Sequence, residues 1–392
     1  MKSSKITWDT LDWAALDRLR DTFLEGMPVG AGYWTSGSDL ENYDLTFAQR
    51  IAWKWDAVLH ELKLRGWTPP SEALIDWGCG SGIAGRRVID FFGAEHFRLL
   101  RVCDRSRLAM DFAADKARET FPSLRVELCP DLACRDPLPS GGSPPKFARA
   151  LGDEKVQAAP AADTAGQTPV RPDAGQSASP NRAGSGTGAP SVGTLVISHV
   201  LNELDEAGGR ALREAIDRAD AVLWVEPGTY ADSRSLIELR EALRERFHVI
   251  APCTHQAGCG LRVPENGRHW CHHFASPPPN IMADSHWVRF ARRAGIDLRS
   301  LPYSFLVLER RGARDPAPGL LPDGYSRIIG QPRCYKGFAK IFSCQRDGAR
   351  ELTLQRRDQP QFFKSLDRPR EAVLFSWGLE GDRIRSVTQA YR

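Results

Sequence analysis

No apolar run in this 392-residue chain approaches the ~18 residues that a membrane-spanning helix requires, so no membrane association is expected. The first 23 residues lack the character of a targeting segment: Asp9, Asp12, Asp17 and Asp21 suit neither a secretory signal nor an acid-poor mitochondrial presequence. A bacterial cytoplasm is therefore the expected location. The nine cysteines are an odd number and are not spread as in a small disulfide scaffold. They lack both the C-x2-C pairs usual for zinc and the ferredoxin run. In a reducing compartment such cysteines are core residues, metal ligands or nucleophiles.

What is present centres on Ala73–Gly82, Ala-Leu-Ile-Asp-Trp-Gly-Cys-Gly-Ser-Gly. An apolar strand ends at Asp76, and Gly78, Gly80 and Gly82 turn the chain into a helix predicted over Ile83–Asp90. Glycine is required where φ is positive or where a ligand lies against bare backbone. The spacing is not the G-x-G-x-x-G of dinucleotide folds. Asp-x-Gly-x-Gly-x-Gly resembles the first motif of class I S-adenosylmethionine-dependent methyltransferases. That resemblance implies a Rossmann-like α/β fold with a seven-stranded sheet, and a glycine loop that receives the methionine part of the cofactor.

The rest of the chain suits that expectation. Residues 1–68 read as an N-terminal helical cap, with helices over Trp13–Phe23 and Leu45–Leu64 and a turn-rich stretch between them at Gly30–Tyr43. Trp13, Trp34, Trp53 and Trp55 are expected in its core. Strands and helices then alternate through residues 69–312, as in a mostly parallel sheet covered on both sides. A second strand, Phe97–Cys103, delivers Asp104 about twenty residues past the glycine loop, where a carboxylate accepts ribose hydroxyls. A third strand, Leu124–Leu128, is followed by Asp131, which the resemblance implies reads the adenine amino group. Residues 138–192 hold almost no large apolar side chains and read as a disordered insertion. A fourth strand, Thr194–Ser198, leads to His199-Val-Leu-Asn-Glu-Leu204. Neither an Asn/Asp-Pro-Pro-aromatic turn nor a cysteine nucleophile follows it. His199, Asn202 and Glu203 are the weak catalytic candidates, and a plain strand end with a helix start is the competing reading. Glu226-Pro-Gly-Thr229 ends a fifth strand on the same rim, and Ser304–Arg310 is expected as the last, antiparallel strand.

The loop 251–275 contains Cys253, Cys259 and Cys271 with four histidines interspersed, and Cys334 and Cys344 lie downstream. Three cysteines within nineteen residues point to a soft-metal centre, zinc or iron–sulfur, with one ligand still to be found. Taken together, the Val-Leu-Asn-Glu-Leu run, the Cys-x5-Cys…Trp-Cys-His insertion and a basic tail resemble one methyltransferase-like family. Its members are small-ribosomal-subunit assembly proteins known from mitochondria, with bacterial relatives. The likeness spans roughly residues 40–350. It implies a 4Fe–4S cluster on Cys253, Cys259, Cys271 and Cys344, with Cys334 the weaker fourth candidate and zinc the alternative metal. The interval from Cys259 to Cys271 and the double histidine after Cys271 depart from the family pattern.

Net charge is only +4. Residues 313–392 hold fifteen Lys or Arg against nine Asp or Glu, and this segment reads as a basic β extension with strands near Gly337–Ser343, Glu351–Arg356 and Ala372–Trp377. Its partner is expected to be rRNA, with Arg327, Arg333, Lys336 and Lys340 as candidate phosphate contacts. The expected protein is a monomer that binds S-adenosylmethionine and serves small-subunit assembly or translation, with methyl transfer left open. An active rRNA methyltransferase and a small-molecule methyltransferase with structural zinc are the rival functions.

Overall fold

Strand β1, Ala73–Trp77, is buried along its whole length because the chain covers both of its faces. In the computed structural model, which describes residues 6–25, 34–135, 191–366 and 374–389, it lies within the larger of two sheets. The insertion expected over 138–192 lies outside the described residues except for its last two positions.

Three helices precede β1: α1 (Trp13–Glu25), α2 (Gly37–Leu45) and α3 (Phe47–Leu64). Helix α2 occupies a stretch that the turn-rich composition predicted as non-helical. Ser36 starts it by accepting a hydrogen bond from the Asp39 backbone N–H, a cap that offsets the weak helix formers. Trp53 and Trp55 are buried in α3 as expected, whereas Trp13 and Trp34 are half-exposed. Arg289 and Arg293 lie over the Trp13 ring, and Trp34 stands near the glycine loop instead of in the core.

After β1 come α4 (Ile83–Phe92), β2 (Leu99–Cys103), α5 (Arg107–Thr120), β3 (Arg125–Leu128), β4 (Gly193–Ser198), α6 (Glu206–Ile216), β5 (Ala219–Pro227) and α7 (Tyr230–Leu243). β6 (Phe247–Ala251), β7 (His273–Ala275), α8 (Ser285–Ala294) and β8 (Leu301–Arg310) complete this part. The strand order is β3-β2-β1-β4-β5-β8-β6, with β7 pairing to β8. β1 to β5 are mutually parallel, and β8 runs antiparallel between β5 and β6. That sheet is the class I methyltransferase fold. Period-two alternation splits its side chains between two cores. Leu74, Val196, Leu223 and Val225 face the cluster that holds Trp55 and Leu59 of α3 and Phe290 of α8. Ile75, Leu195, Val222 and Trp224 face the cluster that holds Leu212 of α6 and Leu236 of α7.

The second sheet contains β9 (Tyr325–Ile328), β10 (Arg333–Cys334), β11 (Phe338–Gln345), β12 (Gly348–Gln355), β13 (Leu374–Glu380) and β14 (Arg383–Gln389), with α9 (Pro360–Ser365) between β12 and β13. β9 pairs with both β11 and β13, which closes the order β9-β11-β12-β14-β13 on itself. The β12–β14 contact is parallel and the other contacts of the ring are antiparallel. A closed five-stranded barrel of this connectivity, with its helix between the third and fourth ring strands, has the OB-fold topology. Ile341, Leu352, Leu354, Phe375 and Ile384 fill it, and Leu366 packs in with them just past α9. The sequence pattern indicated three of these strands. It missed β9 and β10, which are four and two residues long, and β14, whose exposed positions are all polar.

Candidate functional site

The glycine loop follows β1 directly. Gly78, Gly80 and Gly82 have φ of 65°, 50° and 76°, in the left-handed region. Space as well as conformation demands glycine at two of them. A Cβ on Gly78 would stand 2.8 Å from Val200 Cγ1, and one on Gly82 would stand 2.8 Å from Ala113 Cβ. At Gly80 the nearest atom is 3.9 Å away, on the Trp34 ring. The Asp76 carboxylate turns under the loop and accepts the Gly85 N–H at 3.0 Å. Burial pushes its pKa up to about 7. Asp104, at the end of β2, accepts the Gly80 N–H at 2.9 Å and the Ser106 N–H at 2.8 Å, while burial raises its pKa. Asp131 accepts the backbone N–H groups of Ala133 and Arg135 and pairs with the Arg135 side chain. The residues chosen from sequence thus fall into a loop and two strand-end turns on one rim of the sheet.

The same rim carries the weak catalytic candidates His199, Asn202 and Glu203, and beside them Lys54 and Glu226, to which the motif reading gave no role. His199 has φ of 56°, uncommon for a residue with a Cβ. Its Nε2 lies 3.1 Å from Lys54 Nζ, and its Nδ1 lies 3.2 Å from Ser198 Oγ, to which Trp55 donates. Burial, with Lys54 beside it, holds the imidazole well below its ordinary pKa. Burial likewise draws Lys54 down to about 7. Asn202 and Glu203 are exposed on a short turn at Leu201–Glu203. That turn is tied to Glu226, whose carboxylate accepts from Val200 N–H, Leu201 N–H and Trp224 Nε1. Glu226 Oε2 is buried with no hydrogen-bond partner, and burial pushes this acid up to about 8. An acidic residue closing an otherwise apolar buried strand is the one sequence signal that could have singled it out.

The cysteines meet where the two sheets join. Cys259 and Cys271 pack with Cys344 of β11, together with Leu261, Ile329 and Phe342. Cys253, just past β6, acts electrostatically on all three: burial first, and then the Cys253 charge, pushes Cys259 up to about 11 and raises Cys271 and Cys344. Cys334 packs instead against the barrel's own core. Histidines line the group, with Cys344 Sγ 3.7 Å from His255 Nε2 and Cys271 Sγ 3.6 Å from His273 Nε2. His255 Nδ1 is a buried atom with no partner.

Three arginines hold the loop that carries Cys253. Arg65 donates to the carbonyls of Pro252 and Cys253 at 3.1 Å, Arg327 to that of Pro252 at 2.7 Å, and Arg240 to that of Ala257 at 2.6 Å. Glu61 pairs with both Arg65 and Arg327; burial would raise its pKa, but the two guanidinium groups hold it below the ordinary range. Arg327 is therefore a buried structural cation and does not serve as a phosphate contact. Arg333 and Lys340 both pair with Glu351, while Lys336 is exposed. Arg356 and Arg357 are exposed too; the Arg356 N–H reaches the Gly337 carbonyl, which sets these cations beside Lys336 and the exposed Tyr335.

A family model described as mitochondrial small ribosomal subunit Rsm22 matches residues 172–378. Comparison with curated protein sequences gives no match. Solved structures similar to the chain include a putative RNA methyltransferase from Pyrococcus horikoshii, at 8% identity over 76% of this chain and 98% of that one, TM-score 0.33. The plantazolicin methyltransferase BpumL, in complex with a desmethyl analogue and S-adenosylhomocysteine, is 10% identical over 78% of this chain and 99% of its own, TM-score 0.34. TrmK of M. capricolum, in complex with S-adenosylhomocysteine, is 7% identical over 64% and 67%, TM-score 0.28.

Proposed function

The chain belongs to the Rsm22 family, and from that premise we propose that it is a methyltransferase-like assembly factor of the small ribosomal subunit. In this reading it is a cytoplasmic monomer that binds S-adenosylmethionine, holds a 4Fe–4S cluster and contacts rRNA. One observation carries the reading: Cys344, in the barrel, is brought into the same cluster as Cys259 and Cys271 and within electrostatic reach of Cys253.

The donor set fits the cluster. Four thiols with two histidines beside them form a soft environment, and His255 Nε2 and His273 Nε2 face the sulfurs as second-sphere donors. Their sulfurs are not gathered as tightly as a trio elsewhere in the chain, whose members lie within 4.8 Å of one another. A tetrahedral zinc needs sulfurs only ~3.8 Å apart, so the wider arrangement favours the larger inorganic core. Bound there, the cluster would tie the barrel to the methyltransferase sheet.

For the cofactor, the Gly78–Gly82 backbone and Asp104 are the proposed contacts, with Asp76 bracing the loop from below and Asp131 at the adenine side. The OB topology gives the rRNA reading a surface. In such barrels the second and third strands and the loop joining the first two bind oligonucleotides. Here those parts are β11, β12 and residues 329–337, which carry Tyr335 and Lys336.

Anaerobically purified protein is expected to contain about four iron and four sulfide per chain. Serine at Cys253, Cys259, Cys271 or Cys344 should remove them, and Cys334→Ser should not. Full zinc occupancy with no iron would overturn the cluster. Labelled donor incubated with immature small subunits tests the catalytic alternative, which stoichiometric label on rRNA would establish.

A further inference from the structure

We propose that Cys103, Cys129 and Cys134 form a second metal site, a three-thiolate seat for Zn2+ at the carboxyl ends of β2 and β3. These cysteines lie outside the 251–275 loop and outside the motif that identified the first set. Their sulfurs are all within 4.8 Å of one another. Cys103 and Cys134 have no exposed surface and Cys129 has 2%.

The spacing is that of a coordination shell. Cys134 Sγ is 4.0 Å from Cys103 Sγ, and the Asp131 carbonyl oxygen is 3.3 Å from Cys129 Sγ and 3.7 Å from Cys103 Sγ. A tetrahedral zinc with Zn–S of ~2.3 Å and Zn–O of ~2.1 Å has ligand–ligand edges of about 3.6–3.8 Å. The Cys103–Cys134 edge and the two edges from the Asp131 carbonyl lie within a few tenths of an ångström of an S3O shell, and the remaining sulfur pairs lie within 4.8 Å.

The backbone is held in an unfavourable form to make this arrangement. Cys134 has φ of 52°, a left-handed conformation that packing alone gives no reason to impose on a cysteine. The loop is fastened around it. Asp131 caps Ala133 and Arg135, Arg218 donates to the Cys134 carbonyl at 2.7 Å, and Trp77 Nε1 donates to the Leu132 carbonyl at 2.7 Å. Strain over-determined by surrounding contacts is characteristic of a functional clamp.

Binding exchanges three S–H bonds for three Zn–S bonds and releases three protons; no electron moves. Cys103 immediately precedes Asp104, and Asp131 lies between the other two ligands. The ion would therefore lock together the two acids assigned to the nucleoside. It is a structural site, with every position filled by the chain.

The test uses the full chain, purified anaerobically, stripped of loosely held metal, loaded with Zn2+ and desalted. Zinc and iron are counted beside Cys129→Ala and Cys134→Ala variants. The parent should keep about one zinc per chain, and each variant should lose at least tenfold with its iron unchanged. Zinc-edge absorption of the parent should give three sulfurs and one lighter atom, a result independent of whether the variants fold. A parent that retains no zinc, variants that retain it, a four-sulfur zinc shell, or a Cys103–Cys134 disulfide in the parent would each overturn the proposal. The same counts and absorption spectrum, taken on a Cys253→Ser background, exclude any zinc held by the first cysteine set, and no outcome depends on S-adenosylmethionine binding.

Discussion

Arg327 of the barrel and Glu61 of α3 form an ion pair with almost no solvent contact, at 2% and 8% exposure. Arg65, just past the end of α3, shares the same carboxylate, and both arginines also donate to the Pro252 carbonyl. One acid thus fixes a helix, a barrel strand and the start of the cysteine loop in a single network.

Removing that acid leaves two buried cations uncompensated. Glu61→Ala should cost about 3–5 kcal/mol in denaturant unfolding, far more than the ~0–1 kcal/mol expected for a surface pair such as Arg107–Asp111. Cluster content should fall with it, because the Cys253 loop loses its anchor. A loss below 1 kcal/mol would show that the network does not hold the joint.

Gly82 and Gly66 separate strain from collision. Both have positive φ, 76° and 70°, but only at Gly82 would a Cβ meet another residue, Ala113 at 2.8 Å. Gly66→Ala should cost about 1 kcal/mol and leave S-adenosylmethionine affinity unchanged. Gly82→Ala should destabilise further and weaken the cofactor at least tenfold by calorimetry, because the loop must shift. Equal effects at the two sites would deny the glycine loop its assigned role.

Glu226 should make the fold lose stability as pH rises from acid through neutrality. Its pKa is raised by burial to about 8, above the ordinary value of 4.5, so the folded state favours the protonated acid. The stability it contributes is complete below the unfolded pKa and is lost as pH rises through the folded value. That loss amounts to at most about 1.4 kcal/mol per pH unit over the window from roughly 4.5 to 8. Glu226→Gln, which keeps an acceptor for Trp224 and Val200, should flatten the fall in Tm between pH 5 and pH 8. An unchanged slope would assign the sensitivity elsewhere, with Asp76 the next carboxyl to examine.

Salt dependence should distinguish cations that meet RNA from those engaged within the barrel. Replacing Lys336, Arg356 and Arg357 together by Ala should lower the slope of log K against log salt for single-stranded rRNA by about 2, at ~0.7 per phosphate lost. Arg333→Ala, which breaks a pair with Glu351, should change it by less. If the triple variant keeps the parental slope, the barrel's RNA surface lies elsewhere.

Much of the first sheet was legible because its information is local. Leu74 and Ile75 running into Gly78, Gly80 and Gly82 specify a buried strand and a left-handed turn wherever they occur, since the constraint is steric and confined to the residues themselves. The antiparallel strand near Ser304–Arg310 was readable from its apolar run. The gathering of Cys344 with Cys259 and Cys271 was indicated by resemblance, not by any property of the intervening residues. Tertiary structure decided the rest. A barrel closes only when β9, four residues long, pairs on both of its edges, and no window of sequence that short encodes two partners. Arg327 looked like a surface cation in a basic tail, yet Glu61, far upstream, withdraws it from solvent. Cys103, Cys129 and Cys134 stand apart in the chain with no metal-binding spacing, and only the parallel pairing of β2 with β3 and the turn beyond bring their sulfurs together. Sequence determines what each residue can tolerate; the neighbours supplied by folding determine what it meets.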